Sequence, residues 1–478
     1  MSLNRRLFLV SLGSSGVLVA CGGGGSTGPV PGATPKPSSA PTQSPLPAGP
    51  ALYVDLTQTN LPAGTPVYAY IIGNINNSSY WWIDANGKPH QMSTSDNAIP
   101  ANTFPNSNQL SSATAGALAA TYPSAWADYS IPLQVGVKNG ITLSGITTSN
   151  MSNLGTGLNA FSARVYLSVG IAKLPFSPIG SPVTGYVAPG MQAGTPGSLV
   201  LYDFFEFSFD SNQQLNGDTS IVDEYGLPMT VTATGGIQPG SVVPFGVSAS
   251  RPSMISTLSS LAMISGYTQP QVTATLAPAY PPNTNYLRIL SPKQLVADYP
   301  GNSLDTYFSA VVNQWYTNWQ TTPLVTHDVN TGYYSGMVVG GVLTFKVGQL
   351  TTQSAWQAAS STGSFTIGTA GTPISSSDII QCAGTLGPSG TAAQNVAKMI
   401  GAAFNRGVMS YSLDDATCSA SANSFYPAGV TSNQWSAVMH QNSISGRAYA
   451  FPYDDVCGQS TDIDYAPLSS LTITLGNF

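Results

Sequence analysis

Apolar and polar positions fall into short blocks over residues 52–234. Val67-Tyr68-Ala69-Tyr70-Ile71-Ile72, Tyr80-Trp81-Trp82-Ile83, Ala163-Arg164-Val165-Tyr166-Leu167-Ser168-Val169 and Leu199-Val200-Leu201-Tyr202-Asp203-Phe204-Phe205 are β-branched and aromatic. Gly, Pro or Asn turns such as Asp84-Ala85-Asn86-Gly87 bound each block, which predicts strands. The texture changes near Ser253. Leu304–Trp315 has helical spacing with Asn302 or Ser303 as N-cap, and Ala392–Phe404 is a second helix. Strands return at Met337–Val347 and in Leu471-Thr472-Ile473-Thr474-Leu475. The expected architecture is α+β and mainly β, without an internal repeat. A β-sandwich or barrel domain covers 51–252 and is completed by a C-terminal strand within about 446–478. A smaller mixed α/β domain covers 253–445.

The N-terminus has a different pattern. Arg5 and Arg6 precede an apolar stretch of 14 residues, Leu7–Ala20, too short for an ordinary transmembrane helix. Leu18-Val19-Ala20-Cys21 resembles a bacterial lipobox with Cys21 as the lipidated residue, and Asn4-Arg5-Arg6-Leu7-Phe8-Leu9 resembles a twin-arginine export signal. Residues 1–21 are therefore expected to be a lipoprotein signal peptide, which places the protein at the cell envelope. Residues 22–50 are Gly, Ser, Pro, Thr and Ala with almost no large apolar side chain, the composition of a disordered tether.

Composition narrows the function. Of 478 residues only 7% are charged, against about 25% in an ordinary domain, while Gly numbers 49 and Pro 36. Helical repeats need more Glu, Lys and Arg than this. Fourteen Lys+Arg scattered along the chain cannot neutralise a run of phosphates, so nucleic acid is excluded as a partner. A surface solvated by hydroxyls and amides suits a neutral polar ligand. Cys382, Cys418 and Cys457 allow one disulfide whose pairing the spacing does not decide, and no metal-ligand cluster is visible.

The carboxylates are unevenly placed. Six of the 20 lie between residues 203 and 224: Asp203, Glu206, Asp210, Asp218, Asp223 and Glu224. On a strand Glu206, Ser208 and Asp210 share one face, while Phe205, Phe207 and Phe209 share the face that buries. If the following stretch folds back as a hairpin, Asp223 faces Glu206. Two carboxylates across a cleft suit glycosidic hydrolysis: one stays protonated with help from apolar neighbours, and the other activates water or attacks. Glu206 among its phenylalanines suits the acid and Asp223 the base. The plainer alternative is a solvated strand face with an acidic turn, or a calcium site using Asp210 and Asp218.

Tyr202-Asp203-Phe204-Phe205-Glu206-Phe207-Ser208 and Val222-Asp223-Glu224-Tyr225-Gly226-Leu227-Pro228 together resemble the signature of glycoside hydrolase family 64, the inverting endo-β-1,3-glucanases that include laminaripentaose producers. Arg288-Ile289-Leu290-Ser291-Pro292-Lys293, Ala403-Phe404-Asn405-Arg406 and Gly446-Arg447-Ala448-Tyr449-Ala450-Phe451-Pro452-Tyr453-Asp454-Asp455-Val456 extend the similarity, and the last also resembles thaumatin-like proteins. The resemblance implies a thaumatin-like β domain beside the α/β domain, with a wide groove between them for a β-1,3-glucan chain. It implies Glu206 as general acid, Asp223 as general base, and sugar contacts at Ser208, Asp210 and Ser220, where the family has Thr- and Asn-like residues. An aromatic ring expected shortly before Asp223 is missing from Gln213-Gln214-Leu215-Asn216. The reaction needs no cofactor, and a monomer is expected. The alternative is a non-catalytic β-glucan-binding surface lipoprotein, since fold alone does not decide function.

Other residues carry weaker signals. His90, His327 and His440 are too dispersed for a triad, and no Gly-x-Ser-x-Gly elbow occurs. Asp454 and Asp455 suit local backbone N–H groups, with Arg447 as a pairing partner. Among Tyr80, Trp81 and Trp82 at least one ring must enter the core by alternation, and one could face a sugar. Trp315 and Trp319, at i, i+4, suit packing.

Overall fold

The computed structural model describes residues 49–478 except 102, 104–106, 242, 370–372, 410–412, 415–423 and the side chain of Asp414. The expected signal peptide, Cys21, nearly all of the tether and Cys418 lie outside the described residues. Among the described residues no helix is long and apolar enough to cross a membrane.

One sheet of 12 strands organises the chain. In chain order these are β1 (Ala51–Asp55), β2 (Val67–Ile75), β3 (Ser79–Ile83), β4 (Pro89–Gln91), β5 (Ile131–Leu133) and β6 (Lys138–Thr142). They continue with β7 (Phe161–Val169), β8 (Leu201–Phe209), β9 (Leu215–Asp218), β10 (Met229–Ile237), β11 (Phe245–Gly246) and β12 (Ile463–Leu475). The order across the sheet is β11-β10-β12-β9-β8-β7-β2-β3-β4, with β1 joining β12 in parallel and β6 antiparallel, and β5 joining β2. The sheet curls into a half-barrel. The last strand, β12, lies beside β10 and β9 and also pairs with β1, so the first and last described strands meet in one sheet.

Alternation along β8 sets the environment of each face. Leu201, Phe205, Phe207 and Phe209 are buried in the first hydrophobic core, as their spacing predicts. Tyr202, Phe204, Glu206 and Ser208 occupy the other face, which is only half covered. Near Tyr202 the segment 171–189 crosses it: Tyr70, Tyr166 and Phe176 pack ring to ring, Leu174 N–H donates to Tyr70 Oη (2.9 Å), and Tyr202 Oη donates to Pro189 O (3.3 Å). Beyond Phe204 the cover thins: Glu206 is still buried, and Ser208 is the partly exposed residue of this face.

A second hydrophobic core surrounds the helix Thr391–Arg406 and a five-stranded sheet of 365–367, 342–347, 332–339, 324–328 and 413–414. Ile221, Tyr225 and Val247 enter this core from one side of the chain and Ala448–Tyr453 from the other. The helix expected over 304–315 is interrupted. Asn302 caps a short 3-10 turn, Ser303–Thr306, and the α-helix begins at Ser309. Phe308 N–H donates to Ser376 Oγ (2.8 Å) rather than along a helix, which breaks the ladder there. Trp315 and Trp319 stack 6.0 Å apart as packing residues.

A buried polar lock ties this core to the 446–456 segment. Asp454 accepts from Arg406 Nη2 (2.9 Å), His440 Nε2 (3.0 Å) and Ala450 N–H (2.9 Å). His440 Nδ1 meets Gly446 O at 2.8 Å, so both ring nitrogens face acceptors and the imidazolium fits best. Burial opposes the charge on His440, but Asp454 outweighs it and raises the histidine; burial likewise opposes ionisation of Asp454, and His440 and Arg406 hold it low. The Arg447 pairing expected with Asp454 or Asp455 is replaced, because Arg406 and Lys398 occupy those carboxylates. Cys457 is disulfide-bonded, whereas the Cys382 thiol is buried against Ile379 O. Asp454→Ala should strand the buried guanidinium of Arg406 and cost about 3–5 kcal/mol, read as a loss in urea-unfolding free energy; a cost below 1 kcal/mol would contradict the lock.

Candidate active site

Glu206 lies near the middle of β8, where the sheet register gives it two direct neighbours, Asp218 on β9 and Arg164 on β7. Paired residues point to the same face, so the three form a row across the strands. Arg164 closes on Glu206 Oε1 with Nε at 2.7 Å and Nη2 at 2.6 Å, and its guanidinium lies 4.2 Å above the Phe204 ring. Burial disfavours the Arg164 charge, but Glu206 overcomes this and holds Arg164 well above the ordinary arginine value. The apolar surround expected for Glu206 is absent in the form the spacing suggested. Phe205 and Phe207 point into the core on the opposite face, and an arginine stands beside the carboxylate instead. Glu206 is nonetheless only 8% exposed.

Asp223 does not sit on the hairpin partner of β8. That partner is β9, which places Asp218 opposite Glu206, and the chain reaches Asp223 only after leaving the sheet. The 219–224 loop is clamped from two sides. Ser220 bridges Tyr449, and Ile221 N–H donates to Tyr449 O (3.0 Å). On the other side Ser291 N–H donates to Asp223 O (3.0 Å), and Ser291 Oγ donates to Val222 O (2.5 Å) while capping the helix Pro292–Asp298. Lys293 Nζ, in the first turn of that helix, pairs with the Asp223 carboxylate. The segments 222–228, 288–293 and 446–456, far apart in sequence, thus meet around this loop.

Behind the loop a buried charge cluster joins it to β8. Asp203, three residues before Glu206, accepts from Gly226 N–H (2.8 Å), Leu227 N–H (3.0 Å) and Phe204 N–H (2.8 Å). A Cβ on Gly226 would stand 2.3 Å from Tyr202 O, so only glycine allows this approach. Glu224 pairs with Arg288 at 2.6 Å in full burial, and Arg288 Nη1 also donates to Ser198 O (2.9 Å). Burial pushes Asp203 up to about 6 against its three N–H donors. Burial also pushes Glu224 up to about 8, opposed by Arg288 and assisted by Asp203 and Asp223.

The remaining sequence candidates separate clearly. Ser208 shares the partly open face with Glu206 and heads a second row, Asn216–Ser208–Ser162–Asn74–Tyr80, across five strands. Asp210 lies past the end of β8, and its Oδ1 accepts the turn N–H groups of Asn212 (2.8 Å) and Gln214 (2.9 Å). Ser220 is buried in the Tyr449 bridge. No group of three or more His, Cys, Asp and Glu side chains that could hold a metal occurs among the described residues. Sequence reasoning missed Arg164, Lys293 and Arg288. The first was legible in principle as the one charge inside a strand of apolar alternation, and the others lay inside a quoted motif without an assigned partner.

Glu206 and Asp218 thus share one row of the sheet face, and Asp223 is clamped in a neighbouring loop. The family model of the glycoside hydrolase family 64 β-1,3-glucanases matches residues 52–475, and the chain belongs to that family. Solved structures share the fold. A β-1,3-glucanase domain from Clostridium beijerinckii superposes with a TM-score of 0.65 at 20% identity, covering 91% of this chain and 100% of that one. A laminaripentaose-producing β-1,3-glucanase in complex with laminaritetraose gives 0.60 at 19% identity, covering 90% and 99%. The Paenibacillus barengoltzii enzyme of that type gives 0.54 at 18%, covering 90% and 76%. None of the curated proteins compared matches the sequence.

The raised acids make a pH prediction. As pH rises from about 4 to 8 the unfolded chain ionises Asp203 and Glu224 first, while the fold keeps their protons, so stability falls. His440 acts in the same direction: its contribution is full below the ordinary histidine value and is lost as pH rises through the raised one. The thermal midpoint should therefore decline across this range, and Glu224→Gln should flatten the decline; equal slopes in the two proteins would refute the assignment to Glu224.

Proposed function

We propose that the chain is an endo-β-1,3-glucanase that cleaves by single displacement, with Glu206 as general acid and Asp223 as general base. Family membership supports the activity, and the pairing of Glu206 with Arg164 on this face of the sheet carries the assignment of the acid. Arg164 occupies Oε1, leaving Oε2 for the glycosidic oxygen. When the proton leaves Glu206, the charge that develops on its carboxylate forms beside a fixed guanidinium, where it needs no reorganisation. Asp223 supplies the opposite function. Its charge is balanced by Lys293, and its loop is held by backbone hydrogen bonds rather than by the sheet. A water between Asp223 and the anomeric carbon would invert the configuration, which requires the two carboxyl groups roughly 6.5–9.5 Å apart. Ser208, Asp210 and Ser220 remain proposed sugar contacts. Of these Ser208 has the direct support of sharing the strip, whereas Asp210 would have to bind through the oxygen not used in its turn.

The substrate follows from the same surface. Glucan carries no charge, and the strip next to Glu206 offers hydroxyl and amide groups in Ser208, Ser162 and Asn216. We further propose that Cys21 carries a lipid that holds the enzyme at the envelope, with 22–50 as its tether. Cys21→Ser should then move the protein from the membrane fraction to the soluble fraction; continued membrane association would reject the anchor.

The decisive assay uses residues 51–478 with laminarin and a β-1,4-glucan control. Wild type should release oligosaccharides from laminarin alone, with the α-anomer appearing first by proton NMR. Glu206→Gln and Asp223→Asn should each lower kcat by about 10²–10⁴-fold, and Arg164→Met by about 10²-fold. Activity that survives Glu206→Gln would reassign the acid. Retention on insoluble glucan with no release by wild type would make the protein a binding module.

A further inference from the structure

The second polar row leads away from Glu206 and ends on an aromatic ring. From the partly exposed Ser208 on β8 it crosses the partly exposed Ser162 on β7 and the buried Asn74 on β2 to reach the partly exposed Tyr80 on β3. Three strand spacings separate Ser208 from Tyr80, about 14 Å, the span of about three linked pyranose rings. We propose that Tyr80 is a sugar-stacking residue at the far end of this strip and that it sets the length of glucan bound on that side of the cleaved bond. The inference rests on the glucanase reading and adds a subsite to it.

Three adjacent aromatic residues compete for this role, and their packing decides between them. Trp81 is 6% exposed and points to the core face, with its Nε1 donating to Ser79 Oγ. Trp82 points to the strip face, but His90 stacks on it at 4.5 Å and Tyr129 at 4.8 Å, both nearly parallel, so both of its faces are occupied. Tyr80 is partly exposed, and its ring contact is edge-to-face with Tyr186, with centroids 6.1 Å apart and an interplanar angle of 82°. An edge-to-face contact uses at most one face of a ring, so Tyr80 keeps a face without an aromatic partner among the described residues. Sugar rings present axial C–H groups to such faces, and a phenol combines that apolar face with a hydroxyl at the rim.

The mounting of Tyr80 is rigid. Asn76 and Asn77, both at positive φ (50° and 54°), form the tight turn between β2 and β3, closed by Ser78 N–H to Ile75 O at 3.1 Å. Asn74 braces the turn by accepting Asn77 N–H (2.9 Å), and Tyr80 Oη donates to Asn77 O (3.4 Å). A ring held this way loses little freedom when a sugar lies on it, which favours binding.

The test compares wild type with Tyr80→Ala, Tyr80→Phe and Tyr80→Leu on two substrates, laminarihexaose and laminarin. Binding of intact laminarihexaose is measured by calorimetry in the Glu206→Gln background, so that it does not depend on cleavage. Tyr80→Ala should weaken the hexaose Kd about tenfold and spread the laminarin products toward shorter oligosaccharides. Tyr80→Phe should restore both, because it keeps the flat ring. Tyr80→Leu fills similar space without a stacking face and should behave as Tyr80→Ala, which keeps the test decisive if the alanine variant does not fold. Unchanged Kd and product lengths in Tyr80→Ala or Tyr80→Leu would overturn this inference. A wild type that binds hexaose but releases no sugar would overturn the glucanase reading instead, and the Kd comparison would still judge Tyr80.

Discussion

The site depends on one buried carboxylate that is not itself positioned to touch substrate. Asp203 is on the core side of β8, and its oxygens accept the N–H groups of Gly226 and Leu227, just past Asp223 and Glu224. Through it the strand that carries Glu206 is hydrogen-bonded to the segment just past Asp223. Arg288 adds a second tie by pairing with Glu224 and donating to the backbone ahead of β8. Ionised groups in such burial are expensive, and the fold shows it: Asp203 and Glu224 are both pushed up by desolvation. In the proposed mechanism Glu206 and Asp223 must stay separated by several ångströms and so have no direct contact to hold them. A rigid link behind both members is the physical substitute.

The same economy of charge appears across the molecule. Arg164, Arg288, Lys293, Lys398 and Arg406 each pair with a carboxylate, and all five pairs involve the segments that build the site or its support. Elsewhere hydroxyls, amides and aromatic edges do the solvating. The half-covered face of the sheet follows the same logic. The 171–189 segment seals the tyrosine end, where Tyr70, Tyr166 and Tyr202 find partners for their rings, and leaves open the end where Ser208, Ser162 and Asn216 stand. A neutral sugar polymer can exchange hydrogen bonds with that strip without any buried charge being stripped of its partner.

Local pattern was legible; long-range pairing was not. The period-two alternation of 201–209 shows Phe205, Phe207 and Phe209 on one face and Glu206 with Ser208 on the other, because a strand leaves no other choice. It could not show that Arg164 would be the cross-strand neighbour, since register belongs to the sheet. The expected hairpin placed Asp223 opposite Glu206, but β9 is only four residues long and ends at Asp218, so Asp223 falls beyond it. The interrupted helix at 304–315 has the same origin: Ser376, 68 residues downstream, takes the N–H of Phe308. The motifs 288–293 and 446–456 were visible as words, and their meaning as the two jaws around 219–224 needed the third dimension.

The pairing of Glu206 with Arg164 bears on the role proposed for Glu206 as general acid. In that mechanism Arg164, 2.6 Å from Oε1, would stabilise the negative charge that develops as the glycosidic oxygen takes the proton. Asp218, opposite Glu206 on β9, brings a second carboxylate to the same face. Glu206 thus stands between a cation and an anion on consecutive strands. Moving either neighbour by one residue would turn it to the far side of the sheet, so the register of β7, β8 and β9 decides what stands beside Glu206.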